Sequence, residues 1–279
     1  MKVSETLRDK ANRLWQAAGL PEYLNKFGPH RTCAWEVFAC HLEYTAHVPS
    51  WLRASSFMFN YHGTSRHWTS WQKALAKWGS WVWDALAVAS AQETVCEVAA
   101  TDGTTFARSN PSKHYEKRID RDTRVSRPVQ VVVMVDVRRR KFLSWRVRST
   151  PRGEKCDVQY LLKHSPCEVE TNLLDKGFDA EWLHQMHEDF GICSIAPARA
   201  RCKKGWHRKK FRDYFDYGLY WQRNIVECLF SAIKRLFGVH VRARTWRAQR
   251  AELAMRFIAY NIGAIKTKDF LQSRSARLR

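Results

Sequence analysis

No stretch of this 279-residue chain approaches the ~18–20 apolar residues that a membrane span needs. The opening residues, MKVSETLRDK, mix acids with bases and lack the apolar core of a secretion signal. The expectation is a protein without a membrane segment, working in the cytoplasm. The cysteines lack metal-binding spacing. The eight of them, at 33, 40, 96, 156, 167, 193, 202 and 228, form no Cys-x-x-Cys, and no histidine pair completes a zinc motif. Reduced, mostly buried thiols are expected. Acids are scarce: 27 Asp and Glu face 48 Lys and Arg, a net charge of +21. The shortage is uneven. Residues 1–100 hold ten bases and eight acids, so the other 179 residues carry a net +19. Such an excess repels itself, and a polyanion such as nucleic acid relieves the repulsion; an acidic membrane surface is the other candidate partner. Hydrophobic residues make up 45% of the chain, which excludes wholesale disorder and allows a packed core.

Residues 1–93 read as mainly helical and hold eight of the thirteen tryptophans. Trp68, Trp71, Leu75, Trp78, Trp81 and Trp83 recur at helical spacing. That predicts a bundle packed on its tryptophans, or a helix-turn-helix near 60–90. The character changes at Thr94. TVCEVAATDGTTFAR reads as a strand, and VQVVVMVDV (129–137) as a strand buried on both faces. RRRK forms a turn. FLSWRVRS (142–149) closes a hairpin, with Leu143, Trp145 and Val147 on one face and Ser144, Arg146 and Arg148 on the other. CDVQYLLKHS predicts a short helix and CEVETNLLD (167–175) a fourth strand. Asp179 caps a helix over 180–190, which Gly191 ends. ICSIAPA (192–198) is a fifth strand. A basic loop follows, RARCKKGWHRKKFR (199–212), with eight Lys and Arg. A helix over 218–238 and another over about 246–263 complete the chain. From Thr94 the order is β-β-β-α-β-α-β-α-α, that of the ribonuclease-H-like fold. The expected class is α/β, with that domain over 94–265, a helical region over 1–93 and a basic tail over 266–279.

The helix GLYWQRNIVECLFSAIKRLFG (218–238) holds an acid between two bases. With Tyr220 at zero, Arg223, Glu227 and Lys234 fall at about −60°, −20° and −40°, within an arc of roughly 60°. Ile225, Val226, Leu229, Phe230, Ile233, Leu236 and Phe237 lie across the helix as a core-facing stripe. An ordinary salt-bridged face explains Arg223 and Glu227 alone, so other acids decide. Asp102 ends the first strand and Asp175 the fourth. In the expected fold those strands are neighbours, and their acids converge with Glu227. Three carboxylates around one point repel unless cations bind, and oxygen donors suit Mg²⁺. Two such ions would clamp a scissile phosphate. Asp136 is a weaker candidate, since it precedes the turn. His184 and His187 face away from Trp182, Leu183, Met186 and Phe190, so they are expected to be exposed. Cys228 points away from Glu227 and has no supporting histidine nearby.

The spacing Tyr220-x-x-Arg223-x3-Glu227-x6-Lys234 resembles the C-terminal signature of the DDE transposases of prokaryotic insertion sequences. TDGTTFARSNPSKHYEKR resembles their first-Asp block and LLDKGFDAEWLH their second; the likeness covers about 94–263. It implies two-metal phosphodiester chemistry with two Mg²⁺ ions, for which Mn²⁺ can substitute. Asp102 would bridge both metals, and Asp175 and Glu227 would each hold one. Arg223 and Lys234 would grip phosphates beside the cut, supported by Tyr220. The 51 residues between Asp175 and Glu227 leave no room for the large β insertion of some relatives. They hold instead the basic loop, where Lys203, Lys204, Arg208, Lys209 and Lys210 are expected on the DNA backbone and Trp206 on a base. The implied activity is cleavage at the ends of an element and joining of the freed 3′ hydroxyls to target DNA. A homodimer on double-stranded DNA, in the prokaryotic nucleoid, is the expected unit. Two alternatives stay open: a transposase-derived DNA-binding protein that no longer cuts, and a nuclease without strand transfer.

Overall fold

The valine run does what its composition predicts: every residue of the strand Val129–Asp136 is buried. The computed structural model describes residues 6–24, 33–47, 70, 73–75, 77–91, 95–108, 127–200 and 204–263. The chain divides into two compact units, Met1–Ser90 with Arg244–Arg279, and Ala91–Ala243.

The first unit is helical. α1 (Leu7–Ala17) begins with a capping box, in which the Thr6 hydroxyl accepts from the Asp9 amide and the Asp9 carboxylate accepts from the Thr6 amide. α2 (Ala34–His47) packs on it, and α3 (Ser80–Ala91) follows. Tryptophans do form the packing: the Trp15 ring lies 5.9 Å from Phe38 and 5.4 Å from Trp78, which lies 5.5 Å from Trp83. Trp81 does not join them and is 54% exposed. The helix-turn-helix expected near 60–90 lies largely outside the described residues, as do Trp68 and Trp71.

The second unit is a mixed α/β sheet with helices. Its strands are β1 (Val95–Arg108), β2 (Val129–Asp136), β3 (Lys141–Arg148), β4 (Glu168–Leu174), β5 (Cys193–Ile195) and β6 (His240–Val241). The order is β3-β2-β1-β4-β5, with β6 paired to β1. The β1–β2 and β2–β3 pairs are antiparallel, while β4 pairs β1 and β5 pairs β4 in parallel. The helices are α4 (Lys155–Lys163), α5 (Glu181–Asp189), α6 (Trp206–Asp213), α7 (Tyr217–Tyr220) and α8 (Asn224–Phe237). Val132, Met134, Leu143, Val158, Leu161, Leu174 and Leu183 share one core cluster on the sheet. The polar side of β3 is covered rather than solvated. Ser144 donates to Leu161 O at 2.9 Å, Arg146 lies 4.0 Å over the Tyr160 ring, and Arg148 pairs with the buried Asp157.

Several expectations need correction. β1 does not end at Asp102, because its ladder with β2 continues to Phe106↔Val129. Its parallel pairing with β4 does end there, at Thr101↔Leu174. The basic segment is no loop, since α6 forms within it. The 218–238 helix comes in three pieces: α7, a 3₁₀ turn (Trp221–Arg223) and α8, which Gly238 ends at φ 90°. Asp179 does not cap α5, whose N-cap is Ala180. Among the described thiols only Cys40 and Cys96 are buried, while Cys156, Cys193 and Cys228 are exposed.

The last helix, α9 (Trp246–Asn261), packs in the first compact unit, although in sequence it follows the strands of the second. It packs on α2, and Asn261 donates to Ser90 Oγ at 2.9 Å. Lys10 Nζ donates to Ile262 O at 3.3 Å and Gly263 O at 3.1 Å, placing a cation at the negative end of α9. The tail expected over 266–279 lies outside the described residues. No described helix is long and apolar enough to cross a membrane.

Candidate active site

Asp102 and Asp175 come together because parallel strands bring equivalent ends side by side. The last β1–β4 register pair is Thr101↔Leu174, and each acid is the next residue. Asp102 sits in mid-strand, where its Oδ1 accepts from the Gly103 amide at 2.7 Å. Asp175 caps the 3₁₀ turn Lys176–Phe178, accepting from the Gly177 amide at 3.4 Å. α8 lays its polar ridge along β1. Arg223 donates through Nη1 to Asp102 Oδ2 at 3.0 Å and through Nη2 to Glu227 Oε1 at 3.0 Å. Lys234 Nζ donates to Thr104 Oγ1 at 2.8 Å and lies 5.5 Å over the Phe106 ring. Behind the ridge, Val226, Leu229, Phe230, Ile233 and Phe237 are buried, while Ile225 and Leu236 are only half-buried. The 3₁₀ turn brings positions i and i+3 into line, and Arg223 lies 5.9 Å over the Tyr220 ring.

The electrostatics follow from this packing. Burial pushes the Asp102 carboxyl above the ordinary carboxylate range, against the Gly103 amide and the Arg223 guanidinium; the charges of Asp175 and Glu227 push it further up. The group of acids therefore calls for cations. Burial lowers the Lys234 ammonium and raises the Tyr220 phenol. Glu227 is the open side of the site, its side chain 59% exposed against 19% for Asp102. Among the described residues no three acid, His or Cys side chains already stand as a metal cage. Arg223 bridges two of the acids instead. The donor set is nevertheless all carboxylate oxygen, which suits a hard divalent ion. The guanidinium between Asp102 and Glu227 is a cation where that set needs one.

One acid at this place escaped the sequence reading. The Glu154 carboxyl covers Gly103, where an added Cβ would lie 1.9 Å from its Oε1. It accepts from Gln130 Nε2 at 3.2 Å, and the same amide group holds Arg152 through both its atoms. Burial raises its pKa against the Gln130 hydrogen bond, and the charges of Asp102, Asp157 and Asp175 add to the rise.

The basic segment splits into two sets. Lys204, Lys209 and Lys210 are exposed, and Trp206 is 63% exposed with Lys210 Nζ 5.6 Å over its ring. Lys203 lies outside the described residues. Arg208 turns inward, its Nε 2.7 Å from Oδ1 of the fully buried Asp179.

The minor candidates resolve differently. Asp136 is buried and accepts from the Arg139 amide at 2.7 Å, so it closes the hairpin turn. Its register partner is Ala99, three residues before Asp102. His184 and His187 are buried, contrary to expectation, while Trp182 and Phe190 are exposed. Polar groups beneath α5 account for this. His184 Nδ1 lies 2.8 Å from Ser194 Oγ, and His187 Nε2 accepts from Asn172 Nδ2 at 3.0 Å. Cys228 is exposed, next in sequence to Glu227.

No curated protein matches the chain. Eight chains of solved structures do. One belongs to the cryo-EM structure of the piggyBac transposase synaptic complex with hairpin DNA. It is similar at a TM-score of 0.49 and 11% identity, over 95% of this chain and 72% of that one. The model of the transposase DDE domain matches residues 96–262, more than half of the sequence. With the acids of β1, β4 and α8 inside that span, the chain belongs to the transposase DDE domain family.

Proposed function

We propose that this protein cuts DNA at the ends of an insertion sequence and joins the freed 3′ ends to target DNA, on a ribonuclease-H-like catalytic domain. What supports the reading is that Asp102 and Asp175 each follow the last register pair of β1 and β4 and that Arg223 joins Asp102 to Glu227, all inside the family match. These three would hold two Mg²⁺ ions, or Mn²⁺ in their place. When bound, such ions activate water and stabilise the leaving oxygen of a scissile phosphate. The chain's own residues do the rest. Asp102, more enclosed than Glu227, anchors the set in the central strand of the sheet. Glu227, the most exposed, closes it from α8. Arg223 neutralises Asp102 and Glu227 in the free protein. With those acids holding divalent ions, Arg223 would be free to turn its planar fork to a phosphate, which guanidinium binds well. Lys234 supplies a second cation on the same ridge, and Tyr220 backs Arg223. Lys204, Lys209, Lys210 and Trp206, with Lys203 next in sequence, would contact the DNA backbone and a base. A homodimer acting on double-stranded DNA in the cytoplasm, with residues 1–93 recognising the element ends, completes the proposal.

The reading is tested on the DNA that flanks the reading frame. With Mg²⁺, the purified protein is expected to nick this DNA at inverted repeats, leave 3′ hydroxyls and join them to a second duplex. Specific binding to the repeats without any nick, in Mg²⁺ or Mn²⁺, would leave a DNA-binding protein that no longer cuts. Nicks without joining would leave a nuclease.

A further inference from the structure

The turn that presents Asp175 is held by cations from elsewhere in the chain. Arg199 Nε donates to Lys176 O at 3.3 Å, and its Nη2 donates to Gly177 O at 3.0 Å. Arg208 Nη2 donates to Asp179 O at 2.9 Å, and Lys155 Nζ to the same oxygen at 3.2 Å. The Asp179 carboxylate is fully buried and occupied on both oxygens. Oδ1 accepts from Arg208 Nε at 2.7 Å and Oδ2 from the Arg199 amide at 2.9 Å. A buried carboxylate is tolerated only with such partners. Arg208 thus makes a two-point grip that only a guanidinium makes, on backbone and side chain at once.

Arg208 also belongs to α6, whose other side is basic and open. Lys209 and Lys210 are turned from Arg208 by about 100° and 200°, and both are exposed, as are Lys204 and Trp206. The helix is fixed at its first turn as well, where the His207 amide donates to Glu181 Oε1 at 3.0 Å. One short rigid element therefore offers cations to solvent on one side and clamps residues 176–179 on the other.

We propose that Arg208 and Asp179 are a positioning pair that passes the seating of α6 on a phosphate backbone to the turn presenting Asp175. The proposal rests on the preceding reading of Asp175 as a catalytic acid. In it, Arg208 touches no DNA. Binding of a duplex to the lysine side of α6 restrains the turn through the Arg208 grip and fixes Asp175 where the other acids need it.

Two measurements test the pair. The first is amide hydrogen exchange of the full-length wild type, with and without a random-sequence duplex of about 30 base pairs. Exchange at Gly177, Phe178 and Asp179 is expected to slow on binding together with that of α6. The slowing at the turn should vanish in Lys209→Glu/Lys210→Glu at saturating duplex. A turn that does not respond to bound DNA overturns the proposal, whatever the protein's activity. The second uses Arg208→Lys, which keeps the charge and loses the two-point grip. DNA affinity and its salt dependence should be unchanged, while the single-turnover cleavage rate at saturating DNA falls at least tenfold. Weaker binding with an undiminished rate would make Arg208 a phosphate contact, and no change in either would make the grip dispensable; both overturn the pair. If the turn responds to DNA yet Asp175→Ala cuts at the wild-type rate, the assignment of Asp175 fails and the mechanical link stands.

Discussion

Gly103 shows how one atom can decide a site. Any side chain there would meet the Glu154 carboxyl, with the Cβ of alanine 1.9 Å from Oε1. Gly103→Ala should push the end of the Glu154 side chain off Gln130 and cost about 0.5–1.5 kcal/mol, the worth of the hydrogen bond lost. Urea unfolding of the two proteins checks this, and equal midpoints would show that Glu154 moves aside freely. Sequence alone could not reveal the contact. Asp102, Asp175 and Glu227 stand out in the sequence because each belongs to a local pattern: a β-branched strand, a turn after a strand, and a helical ridge. Glu154 sits in PRGEKC, where no periodicity marks it, and it reaches the site only because Gly103 leaves room. His184 and His187 misled for a related reason. Their burial depends on Ser194 and Asn172, partners that helical phase does not display.

The basic segment gains its meaning as an element. As a loop, all eight of its cations would be equivalent; as α6, it has sides. Charge reversal at Lys204, Lys209 and Lys210 is expected to weaken binding to every DNA sequence alike, since phosphate contacts carry no sequence information. The plot of log affinity against log salt should become shallower by up to roughly 2–3, about 0.9 for each phosphate that the protein no longer neutralises. An unchanged slope would mean that this side of α6 is merely solvated. The same reversal at Arg208 would be no equivalent experiment, because it would strand the buried Asp179 beside a second negative charge. α8 also differs from its simple reading. The 3₁₀ turn before it shifts the helical phase, yet Arg223, Glu227 and Lys234 still face β1, because side chains three, four and seven apart share a helix face.

At the scale of the molecule, the place of β4 beside β1 was readable because alternating β and α segments with short connections leave few topologies. The compact unit that holds α9 was not, although the family match over 96–262 takes that helix in. α9 follows the sheet-bearing segment in sequence, but its partners, α2, Ser90 and Lys10, are 171 to 252 residues away. Only non-local contacts assign it. The proposal for the whole protein is that three carboxylates, from β1, the turn after β4 and α8, form one centre that cuts DNA, while affinity comes from the basic surface. The most direct measurement is strand cleavage and DNA binding by the same preparations of wild type, Asp102→Ala, Asp175→Ala and Glu227→Ala, on the flanking DNA with Mg²⁺. Each variant should bind DNA about as tightly as wild type and lose cleavage by more than about 100-fold, beyond what loss of a group behind a metal ligand costs. Cleavage at the wild-type rate by any one of the three would contradict the account.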